Sequence, residues 1–114
     1  MDNCIFCKII KGDIPARKVF EDDRVIAIED IAPVAPVHLL VIPKRHVVNA
    51  LDLPTEDNAL IGHVFQVAAR LSRERGVADK GFRIVSNNNA DAGQSVFHIH
   101  FHLIGGRHLA WPPG

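Results

Sequence analysis

The 114-residue chain has no surplus of charge, no long apolar run and almost no cysteine, and each shortage excludes something. Thirteen Lys and Arg balance thirteen Asp and Glu, with a pI near 7.1. The basic footprint from which a duplex nucleic-acid binder draws its affinity is therefore missing. Weak charge repulsion between copies leaves self-association open. No apolar stretch approaches the roughly 20 residues of a membrane helix. The opening residues place Asp2 and Asn3 before a short apolar run, without the basic n-region or long h-region of a secretory signal. The expected location is cytoplasmic, with no membrane partner. Cys4 and Cys7 are too close together to staple a fold, and in a reducing compartment they stay thiols with metal or redox chemistry as options. Repeats, low-complexity tracts and linker-like shifts are absent, and 47% hydrophobic residues suffice for one core, so residues 1–114 read as a single domain.

Apolar spacing sets the expected elements. Ile5, Phe6, Ile9 and Ile10 recur at helical intervals within Cys4–Lys11, and Gly12 is a natural stop. Val19–Glu21 and Val25–Glu29 flank Asp22-Asp23 as a hairpin. Val37–Ile42 reads as a strand ending at Pro43, a poor ladder member. From Thr55 to Arg75, the residues Leu60, Ile61, Val64, Phe65, Val67, Ala68 and Leu71 form one stripe of a long helix closed by Gly76. Gly81–Ser86 is a fourth strand, Asn87–Gly93 a polar loop, and Val96–Ile104 a fifth strand. The order predicts an α+β class: a five-stranded antiparallel sheet with one long and one short helix, both on one side.

The chemistry concentrates in Ser95-Val-Phe-His98-Ile-His100-Phe-His102-Leu-Ile104. Side chains alternate across a strand, so His98, His100 and His102 share one face and Ile99, Phe101 and Leu103 the other. A lone strand histidine is usually a satisfied core or surface residue; three in alternation beside a Gly-containing loop are not. They do not make a three-histidine metal cage, because the outer backbones lie about 13 Å apart at about 3.3 Å per residue. Phosphorus chemistry fits better. An imidazole with a reference pKa of about 6.5 is a nucleophile near neutral pH, and attack on phosphorus splits one displacement into two through a covalent intermediate. His100 suits the attack, with its neighbours donating to the non-bridging oxygens. Gln94 and Ser95 are either a polar pair opening the strand or an amide and a hydroxyl brought toward the same pocket, Asn87 is either a turn former or a phosphate or ribose donor, and Asp30 has the chemistry to hold a ribose.

His98-Ile-His100-Phe-His102-Leu-Ile104 resembles the His-x-His-x-His-x-x signature of the histidine triad superfamily. Phe6-Cys-Lys-Ile-Ile, Ile14-Pro15-Ala16, Phe20-Glu-Asp, Asp30-Ile31, Ala35-Pro36, His38, Val41-Ile-Pro-Lys44, Ala92-Gly-Gln-Ser95 and Trp111-Pro-Pro-Gly114 resemble its Hint branch. The resemblance implies a HIT-like fold paired into a ten-stranded sheet in a homodimer. It implies hydrolysis of purine nucleoside phosphoramidates and aminoacyl adenylates, so that purine nucleoside monophosphate derivatives are the expected ligands. His100 falls at the nucleophile position, with His98, His102 and His38 around it. Ser95 and Asn87 match phosphate or leaving-group contacts, Gly93 and Gln94 their loop, and Asp30 the ribose ligand. Ile5, Phe6, Ile9, Ile14, Ile28, Ile31 and Leu40 match the purine pocket, and Trp111 lies in the tail that reaches the other protomer's site. Ile28 stands where the branch usually has an aromatic, and Ala92 where glycine is common. His102 in place of glutamine points to hydrolysis and away from uridylyl transfer.

Some bacterial members of the superfamily carry a Cys-x-x-Cys pair completed by two histidines. The resemblance then implies a structural zinc on Cys4, Cys7, His46 and His98, pinning the first helix to the sheet; buried inert thiols are the alternative. No cofactor is expected for catalysis itself. Two other functions stay open: hydrolysis of dinucleoside polyphosphates, and a nucleotide-binding or scaffolding dimer whose hydrolysis is incidental.

Overall fold

The computed structural model describes residues 3–114; Met1 and Asp2, part of the N-terminal reading, lie outside it. Helix α1 spans Ile5–Lys11. At its start the Cys4 sulfur accepts the Cys7 N–H at 3.3 Å, and at its end Gly12 adopts φ +86°, a left-handed cap that glycine takes without strain. Strands β1 (Lys18–Glu21) and β2 (Val25–Glu29) form the expected hairpin, with a register shift between Lys18 and Phe20. Strand β3 is Val37–Pro43, helix α2 Asn58–Glu74, β4 Phe82–Val85 and β5 Phe101–Gly105. The sheet order is β1-β2-β3-β5-β4, every neighbour antiparallel. Among the described residues no helix is long and apolar enough to cross a membrane.

The helices do not share a side, and this corrects the expectation. Val64, Val67, Ala68 and Leu71 of α2 pack with Val25, Ala27, Leu39, Val41, Phe101 and Leu103. Phe6 and Ile9 of α1 pack with the alternate residues Ile26, Ile28, Leu40 and Ile42. Strands β2 and β3 are thus buried on both faces, which is why Val25–Ile28 and Leu39–Ile42 are apolar without alternation. Burying each such aliphatic contributes about 1.5–3 kcal/mol.

Three boundaries also move. A single 3₁₀ turn, Thr55–Asp57, precedes α2, and Phe65 is 49% exposed with its ring against Phe101 at a centroid distance of 6.3 Å. β3 runs through Pro43, which pairs with Val25. Most consequentially, β5 begins at Phe101 and not at Val96. The Pro43 carbonyl takes the His98 ring nitrogen Nε2 at 2.7 Å, and the Ile99 N–H goes to the Val47 carbonyl at 2.7 Å. Ladder bonding there gives way to contacts that turn His98 inward.

Candidate functional site

His102 pairs with Leu40 of β3 on one side and Val85 of β4 on the other. It therefore stands mid-sheet on the α1 face, diagonal to His38, which pairs with Ile104. Three links fix where the protons of this pair sit. The Val34 N–H donates to Nδ1 of His38 at 3.1 Å. A backbone N–H only donates, so Nδ1 accepts and the neutral His38 ring carries its proton on Nε2. That Nε2–H lies 2.8 Å from Nδ1 of His102 and 3.3 Å from Oδ2 of Asp30. His102 accepts on Nδ1 and so presents Nε2–H as its free donor. Burial first, then the neighbouring His100 and His38, hold His102 down to about 4 despite Asp30, so near pH 7 it donates as an uncharged ring. Asp30, His38 and His102 also have donor types and spacing that suit a metal. The Val34 N–H, however, obliges His38 Nε2 to keep its proton, and the group is wired as a hydrogen-bond relay.

His100 is set differently. Its Nδ1 lies 2.7 Å from the His98 carbonyl, which accepts; Nδ1 carries the proton and Nε2 keeps the lone pair. The Phe6 ring meets His100 edge-on at a centroid distance of 5.0 Å, and the His102 ring lies 5.2 Å from His100. His100 is buried and thus held to one orientation.

His98 is fully buried and does not join this pair. Its Nε2–H donates to Pro43 O, while Nδ1 lies 3.4 and 3.6 Å from the sulfurs of Cys4 and Cys7 and 3.1 Å from Nδ1 of His46. Both ring nitrogens are occupied, so the expected donation from His98 to a phosphate is corrected: His98 serves His100 through its backbone carbonyl. The four side chains Cys4, Cys7, His46 and His98 fit zinc closely. A tetrahedral ion with bonds of about 2.3 Å to sulfur and about 2.0–2.1 Å to nitrogen sets donor separations of about 3.3 Å for N···N and about 3.5 Å for S···N. The observed separations are 3.1 Å for N···N and 3.3–3.6 Å for S···N. The Pro43 contact leaves a lone pair on His98 Nδ1, as a ligand requires. Burial, followed by the neighbouring Cys4, raises the Cys7 thiol.

The loop before the triad is locked by a side chain read as a ligand. Gln94 is buried; its Oε1 accepts from Asn49 Nδ2 and the Asn89 N–H, and its Nε2 donates to the Val48 and Val96 carbonyls. Nothing of its amide remains for a phosphate, which corrects that expectation. Gly93 caps the Ala90–Ala92 turn at φ +83°, a conformation that side chains rarely adopt. Asn87 is half-buried two residues beyond Val85, and continuing the Val85–His102 register carries it toward His100. Ser95 and Ile5 line a cavity of about 370 Å³ with Asn3, Cys4, His46, Val96 and Phe97, beside the cysteine cluster.

Of the expected purine-pocket residues, Phe6, Ile9, Ile28, Leu40 and Ile14 gather in one apolar cluster on the triad's face. Ile31 does not join them and is fully exposed. Trp111 is 81% exposed in a tail that Arg83 holds through the Leu109 and Ala110 carbonyls. Sequence reading missed Asn49, the Val34 N–H and the Pro43 carbonyl, whose partners lie too far along the chain, or too little marked by residue type, to be seen. His63 of α2 lies 2.6 Å from Asp22 Oδ2 and ties α2 to the β1–β2 turn.

Comparison with known proteins follows the same geometry. Residues 11–109 match the family model described as the HIT domain. An uncharacterized HIT-like protein of Synechococcus elongatus is 47% identical over 113 residues, covering 99% of this chain and 98% of that one. The purine nucleoside phosphoramidase of Escherichia coli is 42% identical over 108 residues, covering 95% and 91%. Among solved structures, a HIT family hydrolase from Legionella pneumophila superposes with a TM-score of 0.96 at 47% identity, covering 98% of this chain and all of that one. A histidine triad protein from Clostridium difficile gives 0.92 at 44%, covering 96% and 95%.

Proposed function

This chain belongs to the HIT domain family, and from that membership and the site we propose that it hydrolyses purine nucleoside phosphoramidates, and aminoacyl adenylates, through a nucleotidylated His100. The carrying observation is the fixed tautomer of His100, with Nδ1–H on the His98 carbonyl and the lone pair on Nε2. The name of the Escherichia coli relative supports the substrate class.

In the first step Nε2 of His100 bonds to phosphorus as the bond to the leaving group breaks: the P–N bond releases the amine, which takes up a proton from water, or the P–O bond releases the acyl group as its carboxylate. The substituted ring is then a cation, and its Nδ1–H bond to the His98 carbonyl strengthens as the charge develops. His102 Nε2–H, kept in place by His38, donates to a non-bridging oxygen or to the departing atom. Asp30 Oδ2 and Asn87 are the groups for the ribose and phosphate, and Phe6, Ile28 and Leu40 form the apolar floor for the base. Ser95 and Trp111 are assigned to the leaving-group side. In the second step water attacks phosphorus and loses a proton to solvent, the P–Nε2 bond breaks with its electron pair returning to His100 Nε2, and the nucleoside monophosphate leaves. Cys4, Cys7, His46 and His98 would hold a zinc ion that, when bound, would supply a closed structural crosslink; through Cys4 and Cys7 these residues would fix α1, and with it Phe6 against His100. A homodimer that pairs two sheets belongs to the same proposal.

The test is kinetic. His100→Ala is expected to abolish turnover of adenosine 5′-phosphoramidate, while His100→Asn retains nucleotide binding; full activity in either variant overturns the proposal. A specificity constant higher for a diadenosine polyphosphate than for the phosphoramidate would replace the substrate class. Binding without measurable turnover of either would favour the scaffolding role.

A further inference from the structure

The relay that fixes the His102 proton reaches beyond His38. Val34, whose N–H fills the His38 Nδ1 lone pair at 3.1 Å, accepts on its own carbonyl from Arg107 Nε at 3.0 Å. Arg107 follows the end of β5 and also donates through Nη1 to the His108 carbonyl at 3.0 Å. Its planar guanidinium thus ties the turn after β5 to the segment joining β2 and β3. That segment has little burial to hold it. Ile31 is fully exposed and Val34 is 56% exposed. Asp30 Oδ1 takes the Ala32 N–H at 2.8 Å at one end, and Pro36 abuts Gly106 at the other, where an added Cβ would come within 3.0 Å. Between those ends two side chains hold Val34, His38 on its N–H and Arg107 on its carbonyl.

Resting on the nucleotidyl-transfer reading, we propose that Arg107 is a positioning residue: by holding the Val34 carbonyl it keeps the Val34 N–H on His38 Nδ1, and so keeps the His102 proton on Nε2. The two neutral tautomers of an imidazole are close in energy, and one hydrogen bond selects between them. With Val34 N–H at Nδ1, a proton there would face another N–H, so His38 carries it on Nε2 and donates to His102. Without that restraint only Asp30 Oδ2, 3.3 Å from Nε2, favours the proton there, and the His38 tautomer with its proton on Nδ1 gains population. His102 then turns donor through Nδ1 and presents a lone pair on Nε2, the wrong polarity for a phosphoryl oxygen or a departing amine. Arg107 touches neither ring, so its effect falls on the protons of the relay and not on ground-state binding of the nucleotide.

Arg107→Ala and Arg107→Lys, compared with wild type, test this in two ways. Histidine-selective ¹⁵N NMR on the substrate-free chain reads which ring nitrogens carry protons, and steady-state turnover of adenosine 5′-phosphoramidate separates kcat from KM. Wild type is expected to show Nε2–H on both His38 and His102. Arg107→Ala should show mixed tautomers at both, with kcat lowered about fivefold, the rate equivalent of one hydrogen bond, and KM unchanged. Arg107→Lys, which keeps a donor, should recover most of kcat. Unchanged tautomers overturn the proposal whatever happens to the rate, and so does unchanged kcat. A rise in KM alone overturns it too, since that marks direct contact with substrate. If wild type fails to turn over the phosphoramidate, the substrate reading fails by that result alone, and the ring-nitrogen spectra still decide the part of Arg107.

Discussion

Replacing Gln94 with leucine keeps its volume and removes its amide, and the structure sets the cost. Four hydrogen bonds are lost: to the Val48 and Val96 carbonyls, and from the Asn89 N–H and Asn49 Nδ2. Asn49 keeps a second acceptor in Asn89 Oδ1 at 2.9 Å, so three groups are left without a protein partner. Each such bond contributes about 1 kcal/mol net, and more where water cannot replace it. Asn89 is exposed and Val48 and Val96 are half-buried, so water replaces part, and the expected loss is about 2–3 kcal/mol. For a domain of this length that lowers Tm by about 10 °C. Urea unfolding followed by circular dichroism measures it. Native-state hydrogen exchange should also speed up selectively in residues 88–96, the segment the amide clamps. A loss below about 0.5 kcal/mol, within the range of an ordinary surface substitution, would refute the claim that this side chain is a structural clamp.

Two further outcomes are expected. Purified protein should carry about one zinc per chain by elemental analysis; Cys7→Ser should lose it together with thermal stability, and about 0.2 zinc per chain or less would rule against the site. Stability should also depend on acid in two windows. His102 is lowered from 6.5 to about 4, so the unfolded chain binds the extra proton; this stability is fully present above pH about 6.5 and falls away toward pH 4, by about 2 kcal/mol after allowing for partial exposure. At Asp22 burial opposes the charge, but the Val25 and Arg24 N–H groups and His63 overcome it and hold the carboxyl at about 2. Its contribution is present above pH about 3.8 and is lost as pH falls through 2. His102→Gln should shrink the upper window by about 2 kcal/mol in urea titrations at pH 4–7, leaving the part due to His98, which burial also lowers, and leave the lower window unchanged; an upper window of full size would exclude His102 as a contributor.

Helical spacing placed the stripe through Val64, Val67, Ala68 and Leu71, and apolar runs bounded by turn residues placed Val37–Ile42 and the hairpin, all close to their observed bounds. Neither pattern told which face each helix covers, because Val25-Ile-Ala-Ile and Leu39-Leu-Val-Ile, buried on both faces, have no polar side from which to infer a second helix. The alternation of the triad assigned the faces correctly, with Ile99, Phe101 and Leu103 toward α2. What spacing did not carry was the use of each ring. His98 follows the same alternation as His100 yet turns to Pro43 and the cysteine pair, a choice made by residues 52–94 positions away. Gln94 looked like a ligand for a related reason: beside Asn89 and Val96 of its own loop, its amide is filled by Val48 and Asn49, 45–46 positions away. Proton positions depend on backbone donors such as Val34 N–H, which no residue type advertises.

The central claim is a covalent bond between phosphorus and one particular ring nitrogen. Rapid acid-free quenching of the chain with adenosine 5′-phosphoramidate, followed by denaturing mass spectrometry and peptide mapping, tests it most directly. The expected result is a gain of one nucleoside monophosphate on the peptide at His100, absent from His100→Ala. Steady turnover with no adduct at any time point, or an adduct mapping to His98 or His102, would contradict it.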